Sequence, residues 1–324
     1  MAFPLVRHIP VQTDIPFMRA RFIAFIVSLF LILGSVGAFF GIGLNFGIDF
    51  RGGTLIEITT EQEPDLGEIR EALNGLGLGD VQVQDFGGVN SVLIRVATVT
   101  PEQVQSIEGV PADVDAEAAQ QVARQQVQAV LSDLYPGVTY ERVEVVGPQV
   151  SGELIVAGTT AVVIALFLML VYIWLRFEWQ YSVGAVLALS HDVIATIGFF
   201  ALTQKEFNLP TIAAILTIVG YSMNDTVVVY DRIREMFRKY KTMPTPDVLN
   251  IAINATLSRT LMTSGTTLIA LFALAFLGGP ALESFAWALI WGVGIGTYSS
   301  IFVAAPLLTI TGVKRGSDDD EKKA

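Results

Sequence analysis

Six stretches of this chain stay apolar for about the 20 residues of helix needed to cross a hydrocarbon layer. They fall at residues 22–44, 153–175, 181–203, 209–230, 252–277 and 284–310, and each predicts a transmembrane helix. Between the first and second the pattern changes. Gly53–Thr60 reads as a strand and Asp65–Leu76, after Pro64, as a helix. Val81–Phe86 and Ser91–Thr98 alternate apolar and polar positions around Gly87-Gly88-Val89-Asn90, a hairpin signal. Asp113–Leu134 is helix-like and stopped by Pro136-Gly137, after which Val138–Val146 is a last strand. The order β-α-β-β-α-β is that of a ferredoxin-like split unit. The expected fold is a polytopic α-helical membrane protein of six spans with an α+β domain between spans one and two. Its segments are an N-terminal stretch 1–21, a first span 22–44, the α+β domain 45–152, a five-span bundle 153–310 and an acidic tail 311–324.

Composition agrees with the pattern: 52% of the 324 residues are hydrophobic and only 16% are charged. The net charge of −11 is unevenly spread, since Leu44–Gly152 holds 17 Asp or Glu against five Arg and no Lys. So acidic a domain is unsuited to gripping nucleic acid through its phosphates. The chain has no cysteine, which rules out disulfides and leaves the redox compartment unread. The first apolar run follows Arg19 and Arg21, is too long for a signal-peptide core and shows no small-residue cleavage site after it, so it reads as an uncleaved anchor.

Lys and Arg in the short loops set the expected orientation. With both termini in the cytoplasm, the inner segments hold Arg7, Arg19, Arg21, Arg176, Arg232, Arg234, Arg238, Lys239, Lys241, Lys314, Arg315, Lys322 and Lys323, while the short outer loops hold only Lys205. The domain 45–152 then faces the trans side. The tail Asp318–Glu321 reads as solvated.

Some residues do not belong in hydrocarbon. Asp225 sits within the apolar run Leu209–Tyr230, where a carboxylate costs about 2.5 to 3.5 kcal/mol and so faces protein or water. It lies six residues before Asp231, roughly 9 Å of helix, and Arg259 lies roughly 12 Å into the antiparallel span five. The two charges are thus expected at similar depth, as a pair. Either the pair only fixes helix register, as buried ion pairs can, or it lies on an ion path. Thr256, Arg259, Thr263, Thr266 and Thr267 share one helical face, as do Tyr221, Ser222 and Asp225. His191-Asp192 falls near the middle of span three and is either a structural pair or a relay. Gly292-xxx-Gly296 allows close helix approach. Asn45–Thr54, just past the first span, carries Gly47, Gly52 and Gly53 with Asp49 and Arg51, and is either a plain connector or a hinge. No nucleophile–base set, metal-ligand cluster or phosphate loop stands out, so no enzyme activity and no cofactor are expected.

Four ordered motifs carry a resemblance. Gly47-Ile-Asp-Phe-Arg-Gly-Gly-Thr54 is similar to GIDFxGGT, and His191-Asp192 to the HD of a third span. Gly220–Glu235 is similar to GYSxNDTVVxxDRxRE, and Ser258-Arg-Thr with Thr263-Ser264 to SRTxxTS. Together they resemble the SecD/SecF family of bacterial protein export, within the RND superfamily. The resemblance implies one six-span half of a pseudo-twofold pair in the bacterial inner membrane, with domain 45–152 periplasmic. It implies use of the proton-motive force to promote preprotein movement after the ATP-driven step. By family analogy Asp225 is the proton carrier and Arg259 its counter-charge, with His191, Asp192, Ser222, Asn224 and Thr263 on the path. Gly47, Asp49, Arg51, Gly52 and Gly53 form the connector motif. Implied partners are SecD, YajC, the SecYEG translocon and the translocating preprotein, with H+ as the coupling ion and Na+ the alternative. Rival readings are half of an RND-type small-molecule exporter and a non-conducting assembly subunit.

Overall fold

The computed structural model describes residues 13–86, 88, 90–105, 110–111 and 113–313. Residues 314–324 of the expected tail, the basic residues Arg7, Lys314, Arg315, Lys322 and Lys323, and Gly87 and Val89 of the hairpin turn lie outside the described residues. The chain forms two compact units. One covers Phe46–Thr160 with Glu206–Leu209, and the remainder forms the other.

The helical unit supplies the spans, apart from residues 148–160 of span two and Leu209 of span four, which fall in the other unit. Among the described residues six helices are long and apolar enough to cross a membrane: Phe17–Gly41, Pro148–Arg176, Trp179–Thr203, Leu209–Lys239, Thr245–Leu277 and Ala281–Thr311. Several outrun the apolar stretches that predict them, because a helix continues into polar sequence until something stops it. Span five starts at Thr245, behind Pro244 and with a proline in its first turn, where the missing N–H costs nothing. Span one ends earlier than expected, at Gly41, and Gly43 just beyond it has a positive φ of 82°. Span six is not a continuous α-helix: Ser300–Ala304 forms a π-helical segment.

Spans three, four and six carry most of the burial. Tyr181, Phe200 and Tyr230 are fully buried among them. Span six meets span four at its glycines. A Cβ added at Gly292 would run into Ile218, and one at Gly296 would come within 3.0 Å of the Ser222 Cβ. The same logic joins spans one and three, where Gly198 lies against Ser35. Spans one, two and five leave wide apolar faces open, including Phe22, Phe30, Trp174 and Ile269, as lipid-facing helices do.

The other unit is a four-stranded sheet of β1 (Gly53–Thr59), β2 (Val81–Asp85), β3 (Ser91–Val96) and β4 (Thr139–Val146). Its order is β2-β3-β1-β4 and every pairing is antiparallel, so the expected split β-α-β-β-α-β is the architecture found. Helices Leu66–Asn74 and Ala116–Leu134 start where Asp65 and Asp115 accept backbone N–H bonds from the first turn. Alternation sends Ile56 and Ile58 of β1 toward the helices, where they join Ile94, Ile69, Leu73, Val127 and Leu131 in one core. Each such side chain stabilises the fold by about 1.5–3 kcal/mol relative to exposure. On the opposite face Glu57 stands across from Arg142 of β4, and burial pushes its carboxyl above the ordinary range while Arg142 opposes the shift.

Candidate functional site

Two buried carboxylates organise the interior of the helical unit. Asp192 of span three is fully buried, and three side chains from three spans converge on it. His191 Nδ1 lies 3.0 Å from its Oδ1, while Ser222 of span four and Ser299 of span six donate to its Oδ2 at 2.6 and 2.7 Å. The His191 ring is also buried, and its Nε2 has no partner. Asp225 of span four is 9% exposed and more sparsely held. Thr260 of span five donates to its Oδ1 at 2.6 Å, and its buried Oδ2 accepts no hydrogen bond. Beside it Thr226 shares a 3.0 Å hydroxyl contact with Ser300 of span six. Further along, the Ser264 hydroxyl of span five lies 2.8 Å from Thr297, and Tyr221 reaches Ser264 at 3.5 Å.

The sequence expectation of an Asp225–Arg259 pair is not met in this arrangement. Among the described residues no ion pair within 4.0 Å joins them, although Arg259 is near enough to act on Asp225 electrostatically. Adjacent helix positions point about 100° apart. Thr260 turns into the bundle, so Arg259 faces outward and is exposed. Of the expected hydroxyl face of span five, Thr263 and Thr266 turn out the same way, whereas Thr256 is buried. Thr263 donates to the Arg259 carbonyl, Thr266 to Met262 and Thr267 to Thr263, each bonding its own helix. Asn224 of span four is exposed too, on the row that also holds Thr217 and Gly220. Of the seven path residues expected, His191, Asp192 and Ser222 form one buried cluster and Asp225 a second, while Asn224, Arg259 and Thr263 lie on an outward face. Thr260, Thr226, Ser264, Ser299 and Ser300 went unselected. Thr260 and Ser264 were visible as an i, i+4 pair, but nothing told that row from its neighbour.

The connector residues lie in the sheet unit. Gly47 donates its N–H to the Phe207 carbonyl at 2.9 Å, and Phe46 pairs with Phe207 as an isolated parallel bridge. Ile48–Arg51 makes one helical turn. There Asp49 does not pair with Arg51, which is exposed; its Oδ2 accepts the Leu209 N–H at 2.7 Å, at the first residue of span four. Arg95 and Glu206 form a mostly buried ion pair of 2.6 Å. Gly52 and Gly53 have φ of 72° and 116°, and a Cβ on Gly53 would strike the Val96 carbonyl. A Cβ on Gly52 would lie 2.6 Å from Thr98 Oγ1. Both glycines are needed for backbone angle and for space.

Comparison with known proteins fits this geometry. The family described as "Protein export membrane protein SecD/SecF, C-terminal" matches residues 126–314, and the SecD/SecF GG motif matches residues 37–64. A protein named Protein translocase subunit SecF from Cereibacter sphaeroides is 44% identical over 100% of this chain and 97% of its own length. One of the same name from Rickettsia bellii is 42% identical over 97% of this chain and 98% of its own. Among solved structures, SecDF from Thermus thermophilus, titled a translocon-associated membrane protein, superposes with a TM-score of 0.79 at 34% identity. That match covers 93% of this chain and 39% of the longer SecDF chain. A second SecDF structure, in a form called super-membrane-facing, matches with a TM-score of 0.62 at 32% identity over 97% of this chain and 40% of that one.

Proposed function

The chain belongs to the SecD/SecF family of protein-export membrane proteins, and from that membership we propose that it is the SecF-type subunit of a protein-export complex. In this reading it pairs with a SecD-type chain of six further spans in the bacterial inner membrane, beside the SecYEG channel and YajC. The pair uses the proton-motive force to promote preprotein movement after the ATP-driven step. Both termini are cytoplasmic and the sheet unit is periplasmic, which the distribution of Lys and Arg supports.

The observation that carries the proposal is Asp225. It is a carboxylate inside a membrane span, with one oxygen held by Thr260 and the other unpartnered. Such a group is expensive in a membrane and is kept where a proton or ion is handled. Protonation removes its negative charge, and with it the attraction between Asp225 and the nearby Arg259 guanidinium, which stays charged at every working pH. Spans four and five can then repack. His191, Asp192, Ser222, Asn224 and Thr263 complete the path, with a second acid supplied by the partner.

The test uses the complex in sealed vesicles, with ion flux and gradient-stimulated export measured at varied pH and sodium. Asp225→Asn is expected to leave the complex assembled and to abolish both, and the ion whose gradient drives wild-type flux is the coupling ion. Undiminished gradient-dependent export by the variant would overturn the proposal.

A further inference from the structure

The end of span four carries more positive charge than its own ion pairs consume. Asp231, Arg234, Glu235 and Arg238 fall at offsets of 3, 4 and 7 on one helical face, with Lys239 beside them. With Arg176, the last residue of span two, they line an open cavity of about 470 Å³. Both carboxylates are already engaged. Asp231 accepts from Arg176 at 3.0 and 3.3 Å, and Glu235 accepts from Arg232 at 2.6 Å. Among the described residues Arg234, Arg238 and Lys239 have no carboxylate within 4.0 Å. Arg176 is set in place by its floor as well as by Asp231. Its guanidinium lies 4.9 Å over the Phe177 ring, which packs against the buried Tyr181 and Tyr230 at 5.6 and 6.1 Å. Asp231 occupies only Nη2 of its fork, which leaves the other donors for a ligand.

The surroundings say what that ligand is. The cavity begins one residue past Tyr230, where the apolar run of span four ends. Leu168, Tyr172 and Leu175 of span two, at offsets of 4 and 7, form an exposed apolar stripe that stops one residue short of Arg176. Trp174 and Trp179, before and after Arg176, are exposed too, and such amphipathic rings settle at headgroup level. A free phosphate, a nucleotide or an acidic peptide would fill the cavity and leave the stripe bare. A phospholipid matches both, with its phosphate among the cations and its acyl chains along span two. We propose that this cavity binds the headgroup of an anionic phospholipid, with Arg234, Arg238 and Lys239 taking the phosphate and Arg176 fixing its place. Span two is the least buried of the six, and a lipid held here ties its end to span four. The site is separate from the buried carboxylates and does not depend on any role given to Asp225.

Native mass spectrometry of the purified full chain, equilibrated with an equimolar mixture of phosphatidylglycerol, cardiolipin and phosphatidylcholine, tests this. The wild type is expected to retain the anionic lipids over phosphatidylcholine at least about tenfold. Arg234→Gln with Arg238→Gln should bring that preference to within about twofold, while Arg234→Lys with Arg238→Lys, which keeps the charge, should hold most of it. Arg238→Gln alone, at an exposed position, should weaken the preference by about fivefold and carries the test if the double variant does not fold. A wild type without anionic preference would overturn the site, as would a preference undiminished in the Gln variants. Displacement of the retained lipid by millimolar inorganic phosphate would assign the cavity to soluble phosphates and overturn the lipid. So would a loss of thermal stability in the Gln variants that is equal in phosphatidylglycerol and phosphatidylcholine vesicles, since the cations would then only complement the helix C-terminus.

Discussion

Asp225 holds its two oxygens unequally, and the inequality falls on Thr260. Removing the Thr260 hydroxyl leaves a buried carboxylate with no donor on either oxygen, a loss of about 1–3 kcal/mol for the ionised form. Thr260→Val is therefore expected to lower the thermal midpoint of the purified chain at neutral pH and to cut Asp225-dependent flux at least about tenfold, whereas Thr260→Ser stays near wild type. Equal behaviour of Val and Ser at this position would show that the hydroxyl is not what matters. The sequence pointed to Arg259 instead, and the reason is rotational. Span five carries two polar rows, Thr256-Thr260-Ser264 and Arg259-Thr263-Thr266, about 100° apart. Which row turns inward depends on the neighbours that bury it, and residue spacing along one helix does not contain that information. Asp225 and His191-Asp192 were legible for the opposite reason: an ionisable group in hydrocarbon stands out wherever its helix faces.

At the scale of elements, the four strands and two helices of the sheet unit could be read directly, because alternation, Pro64 before the first helix, Pro136-Gly137 after the second and a glycine-rich hairpin signal all agreed. Gly52 and Gly53 were legible as a special backbone site for the same reason. The segment Glu206–Leu209 was not. It reads as a short loop between spans three and four, yet it belongs to the sheet unit, where Phe207 and Glu206 meet Gly47 and Arg95 across more than 100 residues of sequence. This gives Asp49 a specific task as acceptor for the first N–H of span four, the helix that carries Asp225. A capping acceptor of this kind is worth about 1 kcal/mol, and Asn serves as well as Asp. Asp49→Ala should therefore speed hydrogen exchange at the amides following Leu209 about five-fold, and Asp49→Asn should not. Matching exchange in the two variants would mean that the carboxylate does not cap the helix.

At the scale of the whole molecule, what stands out is the polar face left open across spans four and five. Thr217, Gly220 and Asn224 on one helix and Arg259, Thr263 and Thr266 on the next are exposed, although all lie within membrane-spanning helices. An arginine facing lipid at such depth costs at least about 2.5 kcal/mol, and each unsatisfied amide or hydroxyl adds to that. The face is stable in a membrane only when protein or enclosed water covers it, and the SecD-type partner proposed above is the cover expected. The absence of cysteine makes this directly measurable, since Thr217→Cys introduces the one thiol in the chain. The exposed Thr217 hydroxyl donates to the Ala213 carbonyl of its own helix, so the substitution should leave the fold intact. Maleimide should react with this thiol in the purified chain and at least about tenfold more slowly once the SecD-type partner is co-purified with it, since a buried, paired surface excludes reagent as it excludes water. An unchanged rate in the complex would place the partner elsewhere and leave Arg259 to be covered by lipid headgroups or water.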